Sequence, residues 1–440
     1  MPIDFELSKE QLGLRMQARE FGDQILRPLI DKVESEPIPE KRFQLTKEAY
    51  KAAYADGSAF GFLPKEYGGA GLSTLDYAII AEELCAVDPG VPTTVVANGL
   101  GLMPVVYYGN EEQKDRFLRA ATSDPSGEFV AGYGVSEPSG RHSGTANFDV
   151  PLPAPAGIGL TATRDGDEYV LNGRKYWPST TGGWDGLGAN LNLFVVRTDP
   201  SRGGKSGISA IMVERGTLGI SYKAIDKMAH HGARNDEVIF NNVRVPAKNL
   251  IEGTFGNGDL LINRNFGWSG PLVSAAALGN ARGAYEYALE WAKNNSAGGP
   301  EPIIKYQNVG YVLGDVATRI EACRYFVWKA AHYLDSHDYH GEMIGAMCKS
   351  FVTETMFDCV YKCMQVVGTN SADRKLPFAK FFKESAIFPI YDGGNFGMQR
   401  RRVHGILADP SYDSRALAEN RLVEFTRDME GIDTVPGTSI

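Results

Sequence analysis

The residues able to do chemistry in this sequence lie in a few short clusters. Asp392 stands in Ile390-Tyr391-Asp392-Gly393-Gly394-Asn395, a carboxylate directly before two glycines. Taken alone, that arrangement reads as a turn or helix cap, because an Asp side chain can accept from free backbone N–H groups. Trp177-Pro178-Ser179 offers an aromatic ring and a hydroxyl two residues apart. By themselves these read as a core aromatic and a turn serine. His230-His231 and His337-x-x-His340 lack a third matched ligand, so surface positions are expected rather than a metal centre. Cys85, Cys323, Cys348, Cys359 and Cys363 form no CxxC pair and read as reduced thiols. No GxGxxG follows a strand pattern and no GxxxxGK[ST] occurs, so neither a Rossmann nor a P-loop nucleotide site is supported.

The elements that must position these clusters change period twice along the chain. Residues 1–127 read as helical. Ser8 and Gln11 form a capping-box pattern, and Leu12, Met16, Phe21, Ile25, Leu26, Leu29 and Ile30 recur at helical spacing behind it. Further helices are expected at Lys47–Tyr54, Asp76–Ala86 and Glu111–Ala121. Residues 128–257 read as a small β-barrel or sandwich. Asp165-Gly166 and Asn172-Gly173 look like hairpin turns on either side of a strand at Glu168–Leu171. More short strands are expected at Leu193–Val196, Ile208–Val213, Glu237–Phe240 and Val243–Val245, with a loop at Ser139–Gly159. Residues 258–440 read as long helices, Ser269–Asn294, Tyr306–Ser336, Glu342–Val367 and Arg374–Phe388, forming a four-helix bundle. The class is α+β.

With 440 residues, 43% hydrophobic and 22% charged, the chain can bury a large core. A net charge of -9 leaves no electrostatic footprint for nucleic acid or an anionic membrane. Arg400-Arg401-Arg402 reads as a solvated or salt-bridged helix face. No apolar run is expected to reach membrane-spanning length. Met1–Leu14 lacks a signal pattern and Thr438-Ser439-Ile440 is not a peroxisomal address, so a cytoplasmic location is expected.

Several short sequences, in order along the chain, resemble the acyl-CoA dehydrogenase superfamily. Pro64-Lys65-Glu66-Tyr67-Gly68-Gly69-Ala70-Gly71 is similar to its PxEYGGxG turn, and Gly109–Lys114 to its GxxEQK. Tyr133-Gly134-Val135-Ser136-Glu137-Pro138 resembles the flavin-contacting strand end, and Gly144-Thr145-Ala146-Asn147 the segment after it. Asp167–Trp177 resembles the strand-turn-strand leading to the flavin, and Lys227–Pro246 the exit from the β-domain. The resemblance implies bound FAD. Tyr133, Val135, Ser136 and Thr145 would contact the flavin, Trp177 would pack on its ring, and Ser179 would lie near N5. Gln365 and Gly368 would meet the adenylate, and Asn395 the cofactor. It also implies a homotetramer.

The same resemblance makes Asp392 the catalytic base, in the place of the superfamily's usual Glu, with Ser269 hydrogen-bonded to it. In Phe266-Gly267-Trp268-Ser269-Gly270-Pro271, glycines stand where acyl-CoA dehydrogenases carry an Asp and an Arg that hold CoA. Those departures are shared with the superfamily's nitroalkane oxidase branch. That branch is also similar at Glu82–Val87, Gly101–Val105, Gly182-Gly183-Trp184-Asp185, Phe326–Ala330 and Asp392–Asn395. The implied activity is an FAD-dependent oxidase that deprotonates a small nitroalkane-like carbon acid. It would yield an aldehyde or ketone, nitrite and, with dioxygen as acceptor, hydrogen peroxide. The alternatives are an acyl-CoA dehydrogenase and a flavin N-monooxygenase on the same fold. Two features depart from the branch. Gln399 stands where an arginine steadies the base, with Arg400 one residue on, and no arginine occurs near Ser296–Gly299 for the FAD pyrophosphate.

Overall fold

A computed structural model describes residues 5–138, 154–337, 339–410 and 412–415. The first helices are α1 (Lys9–Phe21), α2 (Ile30–Ser35), α3 (Pro39–Leu45), α4 (Lys47–Ala55), α5 (Thr74–Cys85), α6 (Gly90–Tyr108) and α7 (Glu111–Thr122). Three of them start in complete capping boxes: Ser8 with Gln11, Ser73 with Asp76, and Asn110 with Gln113. In each the two side chains satisfy backbone donors that a helix start leaves free.

Helix α6 was not anticipated. By length and composition it is apolar enough to cross a membrane, contrary to the expectation that no such run exists. It is a core helix here, packed against the sheet, α7 and the bundle, with 72% of its most apolar window buried. A helix buried all round shows no polar face, and Pro92 and Pro104 further disguise it.

The strands are β1 (Ala131–Gly134), β2 (Thr161–Asp165), β3 (Glu168–Ser179), β4 (Leu191–Arg197), β5 (Ile208–Glu214), β6 (Ile220–Ala224) and β7 (Asn235–Pro246). They form one sheet in the order β1-β4-β2-β3-β7-β6, with β5 beside β4. The sheet closes on itself where Tyr133 of β1 pairs with Ser179 of β3. Asp165 and Glu168 do flank a hairpin turn. Asn172-Gly173 does not: β3 runs straight through it, and the register against β7 shifts between Leu171 and Gly173. The two strands expected at 237–240 and 243–245 are one strand, β7, facing that irregularity. A Gly inside a strand marks a bulge as readily as a turn, and only pairing decides which. Most of the expected loop at Ser139–Gly159, with Thr145, lies outside the described residues.

The bundle consists of α8 (Gly258–Asn294), α9 (Gln307–His337), α10 (Tyr339–Val367) and α11 (Phe378–Ile387), followed by α12 (Arg400–Leu407). Helix α8 begins eleven residues earlier than its periodicity suggested, so Phe266, Trp268 and Ser269 are mid-helix. One apolar core runs from the N-terminal helices through β1 and β4 into the bundle, and a second fills the sheet. All five cysteines are buried and unbridged.

Candidate active site

Between α11 and α12 the chain makes a tight turn that presents Asp392. Asp392, Gly393 and Gly394 have φ of 55°, 81° and 55° in succession. Glycine adopts these dihedrals freely; an aspartate there is uncommon and costs about 1–2 kcal/mol. Non-glycine strain of this kind concentrates at functional sites. The turn is tied down from several sides. Asn395 N donates to Pro389 O at 2.8 Å, Gln399 Nε2 to Asp392 O at 3.0 Å, and Lys349 Nζ to Tyr391 O at 2.7 Å.

Among the described residues, Ser269 is the hydrogen-bond donor to the carboxylate itself. Ser269 Oγ, fully buried on α8, lies 2.8 Å from both Oδ1 and Oδ2. A hydroxyl has one proton, so it donates to one oxygen at a time. Burial pushes the Asp392 carboxyl up to about 6, against the pull of Lys349, Ser269 and Arg402. A carboxylate tuned towards neutrality in a dry site is suited to general-base work.

Tyr133 on β1 faces this group. It is buried, its ring sits edge-on to Phe266, and the Asp392 charge adds to the burial that raises its phenol. Its hydroxyl lies beside the Asn265 side chain on α8, which holds the phenol down against that burial although the two do not meet at full hydrogen-bond geometry. Ser179 lies opposite Tyr133 across the β1–β3 pairing. Asn235 Nδ2 donates to Ser179 Oγ at 3.0 Å and to Trp177 O at 2.7 Å, and Lys227 donates to Asn235 Oδ1. Trp177 has φ of 75° and is 49% exposed.

These residues fit a flavin. Trp177 is a half-exposed ring held out by a left-handed backbone rather than the core aromatic its composition suggests. Ser179 already accepts from Asn235, which leaves its own proton to donate outward. Tyr133 and its neighbour Asn265 bring polar atoms to the side of β1 and α8 that feels the Asp392 charge. A ring platform plus an oriented donor is what flavin binding asks of a protein.

The other expected site residues are placed as follows. Val135 and Ser136 continue from β1, with their carbonyls accepting from Lys175 Nζ and Tyr176 N. Asn395 is put to another use: its amide donates to Ser350 O, Thr353 Oγ1 and Glu354 Oε1, and its Oδ1 accepts from Lys349. Gln365 and Gly368 are exposed near the C-terminal end of α10, roughly 24 Å along the helix from Lys349 to Gln365 at its rise per residue. One subunit does not bring them to Asp392.

Arg400 points away and pairs with Glu354 at 2.8 Å. Gln399 is fully buried and holds the Asp392 carbonyl. The cation nearest this turn's backbone is Lys349, which the sequence reading missed. Its signal was a lysine ending the apolar stretch Met343–Cys348 on a helix that had to be buried. His230, expected at the surface, is instead buried between Glu384, which pairs with its Nδ1, and Tyr391 Oη at 3.3 Å. Among the described residues no cluster of His, Cys, Asp and Glu could hold a metal.

Fold and site together define a flavin-dependent oxidoreductase with a buried carboxylate. Residues 8–124 match the acyl-CoA dehydrogenase N-terminal domain and residues 256–407 the acyl-CoA dehydrogenase C-terminal domain. Nitroalkane oxidase of Fusarium oxysporum is 32% identical over 93% of this chain and 96% of its own length. A solved nitroalkane oxidase, an active-site Ser-to-Ala mutant crystallized with 1-nitrohexane, has a TM-score of 0.87 at 31% identity. It covers 94% of this chain and 99% of that one. An active-site Asp-to-Asn mutant crystallized with 1-nitrooctane matches with the same TM-score, identity and coverage. The chain belongs to the acyl-CoA dehydrogenase family, and its cofactor is FAD.

Proposed function

We propose that this enzyme oxidises small neutral nitroalkanes, with Asp392 as the base. The observation that carries the reading is the Asp392 carboxylate, buried, held by a single hydroxyl and raised to about 6. Proton loss from a nitroalkane is accessible but slow, and a preorganised carboxylate sheltered from water lowers that barrier. Asp392 takes the proton from the carbon bearing the nitro group. Ser269 steadies the carboxylate before transfer, and Tyr133 and Asn265 offer polar atoms to substrate or cofactor. FAD supplies the two-electron acceptor, held by Trp177, Ser179 and the strand end at Tyr133–Ser136. Overall, R-CH2-NO2, O2 and H2O become R-CHO, HNO2 and H2O2.

The helix crossing beside Ser269 argues against CoA thioesters. A side chain's first carbon at Gly270 would come 3.3 Å from Gly345 O, and one at Gly345 would come 3.2 Å from Gly267 O. The glycines let α8 and α10 approach closely, and at Gly270 a charged CoA anchor would grow towards α10. Gln365 and Gly368, exposed and remote from Asp392, would serve a cofactor bound by another copy of the chain, which supports a homo-oligomer, with a tetramer as the expectation. A cytoplasmic setting and dioxygen as acceptor complete the reading.

Anaerobic stopped-flow reduction tests it. Asp392→Asn should keep FAD but lose about 10²–10⁴-fold in reduction by neutral nitroalkane. Pre-ionised nitronate, which has no proton to give up, should reduce the variant at nearly the wild-type rate. Equal slowing of both forms would make Asp392 structural.

A further inference from the structure

Lys349 is a fully buried lysine on α10. Its ammonium donates to Tyr391 O at 2.7 Å and to Asn395 Oδ1 at 3.0 Å. Among the described residues no carboxylate lies within ion-pairing reach of it. Burying an ammonium without a counter-ion is costly, so its position calls for a compensating gain. The helix crossing explains how it gets there. Gly267 and Gly270 let α8 come against Gly345, which places Ser269 of α8 and Lys349, one turn beyond Gly345, on the same Asp392 turn. Tyr391 precedes Asp392 and Asn395 follows it by three, so Lys349 grips the turn on both sides of the base. Gln399 holds the Asp392 carbonyl itself.

Resting on the assignment of Asp392 as base, we propose that Lys349 is its positioning residue, fixing the left-handed turn through Tyr391 and Asn395 and supplying a buried positive charge beside the carboxylate. The cation acts from a neighbouring helix, beneath the backbone, while position 399 contributes a neutral amide. The groups facing the pair come from every side. Ser269 lies on α8, Glu354 on α10, Arg402 on α12, Tyr133 on β1, and Tyr391 and Gln399 on the turn's own segment. Glu354 is engaged by Arg400, and Arg402 donates to Gln399 Oε1. Lys349 is therefore the one fully buried cation among them.

The test uses the holoenzyme and a signal that needs no substrate. An ionisation beside the isoalloxazine perturbs its absorbance, so the bound flavin is titrated from roughly pH 4 to roughly pH 9. Wild type should show a transition near pH 6 that Asp392→Asn abolishes. Lys349→Met should move it upward by about one unit or more, because the ionised form loses its cation. Lys349→Gln keeps a hydrogen-bond donor for the turn and should show the same shift, which covers the case in which the Met variant does not fold. At about pH 7 these variants should oxidise neutral nitroalkane roughly tenfold more slowly, with nitronate within about twofold of wild type. A transition unmoved by either substitution, or absent from wild type, would overturn the proposal, as would parallel loss with both substrate forms. A wild type indifferent to nitroalkanes would sink the substrate assignment alone, because the flavin titration would still judge Lys349.

Discussion

Lys175 in the sheet and Lys349 in the bundle are both fully buried lysines placed beside a carboxylate, and the chain handles them in opposite ways. Lys175 Nζ meets Glu137 Oε1 at 2.7 Å, with both side chains sealed from solvent. Glu137 also accepts from Gly159 N and Leu160 N at 2.7 and 2.9 Å. Each charge is matched and each strong acceptor filled, so the pair locks the end of β1 against β3. Lys349 bonds Tyr391 O and the Asn395 side chain instead of the Asp392 carboxylate, which among the described residues keeps Ser269 as its close donor. Burial brings the Lys349 ammonium down to about 8 while it pushes Asp392 up to about 6. A closed pair stabilises structure and has no basicity left to use. A partly satisfied carboxylate costs stability and retains the capacity to take a proton.

The contrast can be broken most severely at the closed pair. Glu137→Gln strands the Lys175 charge in the sheet interior, which should cost about 3–5 kcal/mol in denaturant unfolding. A loss under about 1 kcal/mol would mean the pair is not the lock described. Ser269→Ala comes next. It removes the only close donor to the ionised base, worth about 1.5–3 kcal/mol, and should slow nitroalkane oxidation roughly 10–100-fold. Because that donor holds the carboxyl down, the acid limb of the kcat/KM profile should also move to higher pH.

A smaller effect sharpens the comparison from the stability side. Burial pushes the native Asp392 carboxyl up to about 6, above the ordinary aspartate value of about 3.9. The folded state therefore holds this proton more tightly than the unfolded chain. The resulting penalty is absent below about pH 4, grows between the two values, and is complete above about pH 6. Asp392→Asn, which cannot ionise and suits a left-handed φ, should be more stable than wild type by about 2–3 kcal/mol at pH 8. Melting curves at roughly pH 4 and pH 8 should show that gain only at the higher pH. The smallest effect belongs to Arg400→Ala. Its pair with Glu354 is half exposed, so stability should change by about 0.5 kcal/mol or less, and the pH profile not at all. A shifted profile would restore Arg400 as the cation of the base.

Much of this arrangement was legible in the sequence, for local reasons. The Ser8 capping box, the strand at Ile208–Val213 and the long bundle helices follow from patterns spanning a few residues. The likeness of short motifs brought Asp392 and Ser269 together across 123 positions, and the structure places them 2.8 Å apart. The misreadings share a cause. Helix α6 has no polar face, the bulge at Gly173 uses a turn's residues, and His230 is a polar residue whose partner Glu384 lies 154 positions away. Each depends on what packs against the residue.

The sequence by itself determined the order helices, sheet, bundle, the motifs of a flavin enzyme, and a carboxylate where a base is needed, because periodicity, capping and short motifs are encoded among near neighbours. Only the tertiary structure decided what supports that carboxylate. Whether Arg400, one residue beyond Gln399, could act as the cation was left open by the sequence. The helix path turns it to Glu354, and the glycine crossing of α8 and α10 brings Lys349, more than 40 residues away, under the turn instead. Burial and electrostatics act through space, so the charge that tunes a buried base follows from helix packing rather than from adjacency in the chain.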